Sequence, residues 1–272
     1  MKIRLFGTIQ KCVLTCSLAL SLLACNDAWD DHYQAALHEK PTETLWQQLQ
    51  KQDSLSEFRR VLENVRVTNG NKFTNITYAN LLGKQFFTVF APVNGSFDAD
   101  TLIAQCQTLS GNKNVEKKFV SSHLSRTPYS LSPSTNLNAL MLNGKYLPFV
   151  DSTLADVKIL TNSNIVAKNG IIHSVESKIP FLGNIYETLI EDPQFAKMGE
   201  YLFKGQKDSL DEVNSVEGGI NEDGVTVYVD SVLIRKNDLL GKFGWINSED
   251  STYWVVAPTL AGWNAAYEKV SK

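Results

Sequence analysis

Little in this sequence is basic, sulfur-bearing or continuously apolar, and each shortage removes a class of function. Lysine and arginine number 26 against 29 aspartate and glutamate, a net charge of −3 at pH 7. Without a basic face there is nothing to hold a phosphate backbone, so nucleic acid is excluded as a partner. The longest apolar run, "CVLTCSLALSLLA" from Cys12 to Ala24, is too short to span a bilayer comfortably. No glycine-rich loop is present to cradle phosphate, so no nucleotide cofactor is expected. The four histidines show neither Asp-His-Ser spacing nor a third ligand, which leaves no catalytic residue and no metal site to name. Cysteines number four, and three of them fall within the first 25 residues.

What is there begins at the N-terminus. "MKIRLFGTIQK" is short and basic, the apolar run follows, and "LLAC" puts small Ala24 before Cys25. This resembles the lipobox of bacterial lipoproteins, in which residues 1–24 are a signal peptide and Cys25 is the lipid-attachment residue. An ordinary secretory signal cleaved near the same place is the plainer alternative. Acyl chains on Cys25 would supply more than one hydrocarbon tail, which stable anchoring requires. Cys12 and Cys16 then leave with the signal and Cys106 stands alone, so neither an internal disulfide nor a paired-thiol metal site can form. Cys106 lies in "DADTLIAQCQTL", whose spacing is helical, and is expected to be a buried small hydrophobe. Loss of Lys2, Arg4 and Lys11 with the signal leaves the remainder near −6. Residues 25–42 read as an acidic tether. Asp27, Asp30 and Asp31 just after Cys25 resemble the signal that sends some Gram-negative lipoproteins to the outer surface. An outer-membrane, surface-exposed lipoprotein is therefore expected, touching the membrane through its lipid only.

Residues 42–65 place Leu45, Leu49, Leu55, Phe58, Val61 and Leu62 at the spacing of two short amphipathic helices around Asp53-Ser54. A polar stretch with "TNGN" follows, then the strand "TVFAP", with Asn94 positioned to satisfy backbone donors where strand gives way to helix. "NVEKKFVSSHL" is predicted helical, with Val115, Phe119, Val120 and Leu124 on one face. Beyond Pro128 the period changes to short β-branched runs with Asn-Gly turns. Helices first and strands afterwards predict an α+β fold rather than a parallel α/β sheet. At residue 183 the plan restarts, with Ile185, Leu189, Phe195 and Leu202 repeating the first helical pair. Residues 216–236 read as an added hairpin or loop. "YWVVAPTLAGW" then repeats the Ala-Pro strand, with Trp263 matching Phe97.

Three stretches resemble the fasciclin (FAS1) domain. "FTVFAPVNGSFDA" is similar to its first signature, through Pro92, Asn94 and Phe97. "FVSSHLSRTPYS" is similar to its central box, through His123, Tyr129 and Ser130. "AKNGIIHSVES" is similar to its last element, through Asn169, Gly170, Ile172, His173 and Val175. The resemblance assigns residues 43–182 to one fasciclin domain and 184–272 to a partial second copy. It implies a wedge-like β-sandwich with N-terminal helices, followed by an incomplete repeat. It also implies a non-enzymatic role in adhesion, with a protein or glycan of a cell surface or matrix as partner. An accessory glycan-binding lipoprotein of a nutrient-uptake complex is the alternative. Ser122 stands where the family commonly has a Tyr linked to adhesion in animals, Arg126 and Thr127 replace its Pro-Gly, and Leu260 occupies the place of Asn94 in the repeat. An integrin-type mechanism is therefore not carried over. The repeat is expected to be cut short, by a fragment or truncation, which would leave the strand at 252–257 uncovered.

His32 and His38 lie in the tether. His123 and His173 lie in apolar surroundings, where a metal pair or general base competes with two core imidazoles bonded to backbone. Asp-Ser or Asp-Thr followed by an apolar residue or Thr recurs at Ser54, Thr101, Ser152, Ser209, Ser231 and Ser251. The pattern resembles an O-glycosylation motif of exported Gram-negative proteins, and it is equally good turn and cap chemistry.

Overall fold

The computed structural model describes residues 41–161 and 163–271. The expected signal peptide, Cys25, the expected tether up to residue 40, and His32 and His38 lie outside the described residues. Glu43 onward forms one compact unit.

The first helices form where the apolar spacing puts them. Helix α1 (Leu45–Gln50) begins at a reciprocal capping box: Thr44 Oγ1 accepts from Gln47 N–H while the Gln47 side chain accepts from Thr44 N–H. A 3₁₀ turn (Asp53–Leu55) leads into α2 (Ser56–Asn64), which buries Phe58, Val61 and Leu62. The polar "TNGN" stretch is not a loop but the tip of a hairpin, β1 (Arg66–Asn69) with β2 (Lys72–Thr77). Gly70 turns it at φ 55°. Then come α3 (Tyr78–Leu82), β3 (Phe87–Pro92), α4 (Ala99–Gln105) and α5 (Leu109–Lys118). The expected helix ends at Lys118, and Leu124 opens the short strand β4 (Leu124–Ser125). Strands β5 (Asn136–Leu140), β6 (Tyr146–Val150), β7 (Thr153–Leu154) and β8 (Val157–Lys158) form a four-stranded antiparallel sheet in that order. Strands β9 (Ile165–Ala167) and β10 (Gly170–Val175) return to the first sheet, whose order is β4-β3-β10-β9.

The fold is α+β, with two four-stranded sheets that share the core around Phe90 and Phe149. It contains a feature the helix-then-strand order hides: β3 and β10 pair in parallel, from Phe87 opposite Gly170 to Pro92 opposite Val175. Everything from α4 to β9 is the crossover between them. Side chains of β3 alternate between two cores. Phe87, Val89 and Ala91 join Leu45, Leu49, Leu55 and Leu62 on the helical side. Phe90 joins Phe149, Leu147, Leu154 and Val175 between the sheets. Burial on both faces explains why this strand is a continuous apolar run.

The later half repeats the beginning. Helix α6 (Ile185–Glu191) starts at a capping box of Asn184 with Glu187, a 3₁₀ turn (Pro193–Phe195) follows, and α7 (Ala196–Phe203) packs Leu202 against Leu189. Strand β11 (Gln206–Leu210) pairs with β14 (Leu233–Asn237), and the hairpin β12 (Val216–Ile220) with β13 (Thr226–Asp230) is inserted between them. After α8 (Leu240–Phe243) the expected strand at 252–257 is absent. Those residues are extended but have no ladder partner among the described residues, because nothing lies beside them to take their hydrogen bonds. Thr259 then caps α9 (Leu260–Val270).

Candidate functional site

The three signature stretches converge on one sheet, and their polar side chains face inward to backbone groups. Asn94 Oδ1 accepts from Glu57 N–H at 3.0 Å, while its Nδ2 donates to the Asp53 carbonyl and to Ser56 Oγ, both at 2.9 Å. It therefore caps α2 across the fold, and not the helix that follows its own strand. That helix, α4, is capped by Asp98, whose carboxylate accepts from Thr101 N–H. Asn169 accepts from Leu45 N–H at 2.8 Å and donates to the carbonyls of Leu82 and Gln85, tying the β9–β10 turn to α1 and α3. Gly170, at φ 149°, owes its place to close approach: a Cβ there would overlap the Phe87 carbonyl oxygen. Phe97 is half-buried with its ring centroid 5.0 Å from that of Phe119. Pro92 ends β3 opposite Val175.

Both core histidines spend both ring nitrogens on backbone. Ile179 N–H donates to His123 Nε2 at 2.9 Å, so the neutral ring carries its proton on Nδ1 and donates to the Phe119 carbonyl at 2.7 Å. Asn164 N–H donates to His173 Nδ1, and Nε2–H donates to the Tyr129 carbonyl at 2.8 Å. Tyr129 in turn donates its N–H to Thr88 Oγ1 and accepts at its hydroxyl from Leu140 N–H. Burial pushes the His123 pKa down to about 4 and lowers that of His173 as well. Neither ring has a lone pair left for a substrate proton or a metal, and among the described residues no cluster of His, Cys, Asp or Glu could hold one. Cys106 is buried, donates to the Leu102 carbonyl, and has its thiol pKa raised by burial. Ser122, at the position of the adhesion-linked Tyr, is buried between the Lys118 carbonyl and the Asn143 amide. Arg126 lies over the Phe87 ring at 4.3 Å.

A buried ion cluster, not foreseen from the sequence, joins the two halves. Lys145 Nζ donates to Glu187 at 2.7 Å and to Glu249 at 2.5 Å, and Lys117 also pairs with Glu187. Burial alone would raise the Glu187 pKa, but bonds from Lys117, Lys145 and Asn184 N–H outweigh it and hold the carboxyl below its usual range. Lys145 is isolated in sequence and Glu187 reads only as a capping acid, so nothing local announces the pair.

The Asp-Ser/Thr positions are dispersed. Ser54, Thr101, Ser152 and Ser251 are exposed, while Ser209 and Ser231 are half-buried. The Thr101 hydroxyl donates to Asp98 at 2.6 Å.

Among the described residues, two open features of the later half bear on binding. One is a groove of about 540 Å³ lined by Tyr186, Gln206, Arg235, Asn237, Trp245 and Asn247. In it Trp245 is 61% exposed and the buried Gln206 Oε1 has no hydrogen-bond partner. The other is the uncovered segment Tyr253–Pro258, where Trp254 and Val256 are fully exposed. The hairpin β12–β13 exposes Val216, Ile220, Val227 and Val229, with Tyr228 its one aromatic residue.

The family model of the Fasciclin domain matches residues 53–179. That range holds all three signature stretches and both four-stranded sheets. No curated protein matches the chain. Among solved structures, a FAS1 domain pair from the insect cell adhesion molecule Fasciclin I is similar, with 14% identity, a TM-score of 0.36 and coverage of 52% of this chain and 51% of its own. The chain thus spans about half the length of that structure.

Proposed function

We propose that this protein is a lipid-anchored cell-surface binding protein, attached through Cys25 to the outer membrane, that uses its fasciclin-type fold to contact a protein or glycan of another surface. The carrying observation is the fasciclin-domain match over residues 53–179, since such domains serve adhesion and binding in general rather than catalysis. The inward use of the signature side chains supports the same reading. Asn94, Asn169, His123 and His173 spend their polar atoms mainly on backbone bonds, which fits a structural rather than a catalytic use of these signature residues. The lipobox-like "LLAC" supplies the anchor, and the acidic residues after it favour display outward.

The groove around Trp245 favours a second reading, an accessory glycan-binding lipoprotein. An exposed indole can stack on a sugar ring, while Arg235 and Asn237 line the groove beside it.

Mass spectrometry of the mature protein is expected to find acyl chains on Cys25, and Cys25→Ala to release the protein from the membrane fraction. Cells carrying the wild-type chain should adhere to protein- or glycan-coated surfaces more than cells carrying Cys25→Ala. An unmodified Cys25, or equal adhesion by both, would remove the reading. Trp245→Ala separates the two versions, because only a glycan groove there makes glycan retention depend on that ring.

A further inference from the structure

The ion cluster at Glu187 holds more than opposite charges. Lys145 closes the turn between β5 and β6 and is buried. Its Nζ donates to Glu187 Oε2 at 2.7 Å and to Glu249 Oε1 at 2.5 Å. The same Glu249 oxygen accepts a second bond, from the side-chain amide of Asn184, whose Nδ2 lies 2.8 Å away. One carboxylate oxygen therefore bridges a primary amine and a primary carboxamide. The amine lies over the Phe181 ring, 5.2 Å from its centroid.

The amide is oriented as closely as the amine. Asn184 caps α6, and its Oδ1 accepts from Glu187 N–H at 2.9 Å. Its Nδ2 also donates to the Asn247 carbonyl at 3.1 Å, and its backbone N–H donates to Glu187 Oε2 at 2.8 Å. The carbonyl oxygen is thus aimed at a backbone donor and the nitrogen at an acid. A capping asparagine needs only its oxygen for that task. Here its nitrogen is drawn to the carboxylate that also holds the lysine. Three elements distant in sequence supply the parts: the β5–β6 turn the amine, the start of α6 the amide, and the segment after α8 the acid.

An amine, a carboxamide polarised at its oxygen and a carboxylate touching both nitrogens are the reactants and the base of an amide exchange. We propose that Lys145 and Asn184 become joined by a self-formed isopeptide bond, with Glu249 as the proton carrier. Glu249 takes a proton from Nζ. Exclusion of water lowers the cost of that transfer, because solvation no longer favours the charged forms. Nζ attacks Asn184 Cγ, and Glu187 N–H stabilises the negative charge that gathers on Oδ1. The Nζ–Cγ bond forms and the Cγ–Nδ2 bond breaks. Nζ gives up two protons in all, both by way of Glu249, and Nδ2 receives them, so the leaving group departs as ammonium. Nothing is oxidised or reduced, and no co-reactant is consumed. Lys117 stays behind as the counter-charge of Glu187. The bond pins the β5–β6 turn of the first half to the first helix of the later half. A pull on the chain then meets a covalent link between the halves rather than an ion cluster. The inference needs neither the lipid anchor nor any particular surface partner.

The test is peptide mass analysis of the full wild-type chain, denatured and digested with trypsin. The fragments carrying Lys145 and Asn184 should be recovered as one branched species, uncut after Lys145 and lighter than their sum by one ammonia. Lys145→Arg and Asn184→Ala should each return separate linear fragments. Glu249→Gln keeps a side chain that can bond both nitrogens but carries no proton between them, and should cut the yield of the branched species about tenfold or more. Linear fragments alone from the wild-type chain overturn the proposal and leave a non-covalent cluster. So does a branched species lighter by one water, which would put the bond on Glu187 or Glu249. An undiminished yield from Glu249→Gln overturns the role given to Glu249.

Discussion

Val89 is completely buried, and Val255, its counterpart in the repeat, is 40% exposed. The two segments share Ala-Pro, an apolar alternation and a preceding helical pair, so local sequence does not account for the difference. What differs is the company. Phe87–Pro92 has β10 along one edge and β4 along the other, with a helical core on one face and a second sheet on the opposite face. Tyr253–Pro258 has helices on one face only. A run of β-formers becomes a strand when neighbours take its backbone hydrogen bonds, and otherwise it is merely extended. The comparison can be broken by stripping the first segment of its company and sharpened by measuring what that company is worth.

The largest effect is expected from Gly170→Val. The residue sits at φ 149°, which L side chains rarely adopt, and its new side chain would overlap the Phe87 carbonyl. Strain and overlap together put the cost above about 4 kcal/mol, enough to detach β10 from β3. Amides of Phe87–Ala91 should then exchange as fast as those of Tyr253–Ala257. If they remain protected, the parallel pairing with β10 is not what orders β3.

How much of this was legible depends on range. The capped helices at 45–64 and 185–203 follow from spacing and caps, both local, and the α+β class follows from element order. The parallel β3–β10 pair was not legible, because a buried strand's apolar run does not name its partner. The hairpin at 66–77 was hidden by its polar tip, where Thr68 is held by Glu116 from a distant helix rather than by apolar packing. Among the candidate residues, Gly170 stands in an Asn-Gly pair that signals a turn, whereas its constraint comes from a strand far away in sequence. Asn94 was read as capping the next helix, whereas it caps an earlier one. In each case the residue type was informative and its partner was not, because partners are fixed by the fold.

A smaller effect tests the histidines that lace this sheet. The His123 pKa lies near 4 in the folded chain against 6.5 when exposed, so the unfolded chain binds the extra proton between those values. Stability contributed by the neutral ring is complete above pH 6.5 and is lost as pH falls toward 4. From pH 6.5 to 5 the loss should be about 1.5 kcal/mol, with His173 adding in the same direction. Glu187 acts mainly outside this window, since its carboxyl is held below its ordinary value and its loss falls mainly below about 4.5. Urea midpoints measured across it should fall with pH in the wild type and fall less in His123→Gln. A flat wild-type profile would mean that the ring is not held neutral. Because no corresponding histidine flanks Tyr253–Pro258, the later half should show no such slope.

The smallest effect is the most direct comparison. Val89→Ala removes two methyl groups from a fully packed site, and transfer plus residual cavity puts the cost at about 2–3 kcal/mol. Val255→Ala removes the same atoms from a side chain that already meets water, and the cost should stay under about 0.5 kcal/mol. Equal costs would mean that the later segment is covered in solution, and that its openness is not a property of the chain.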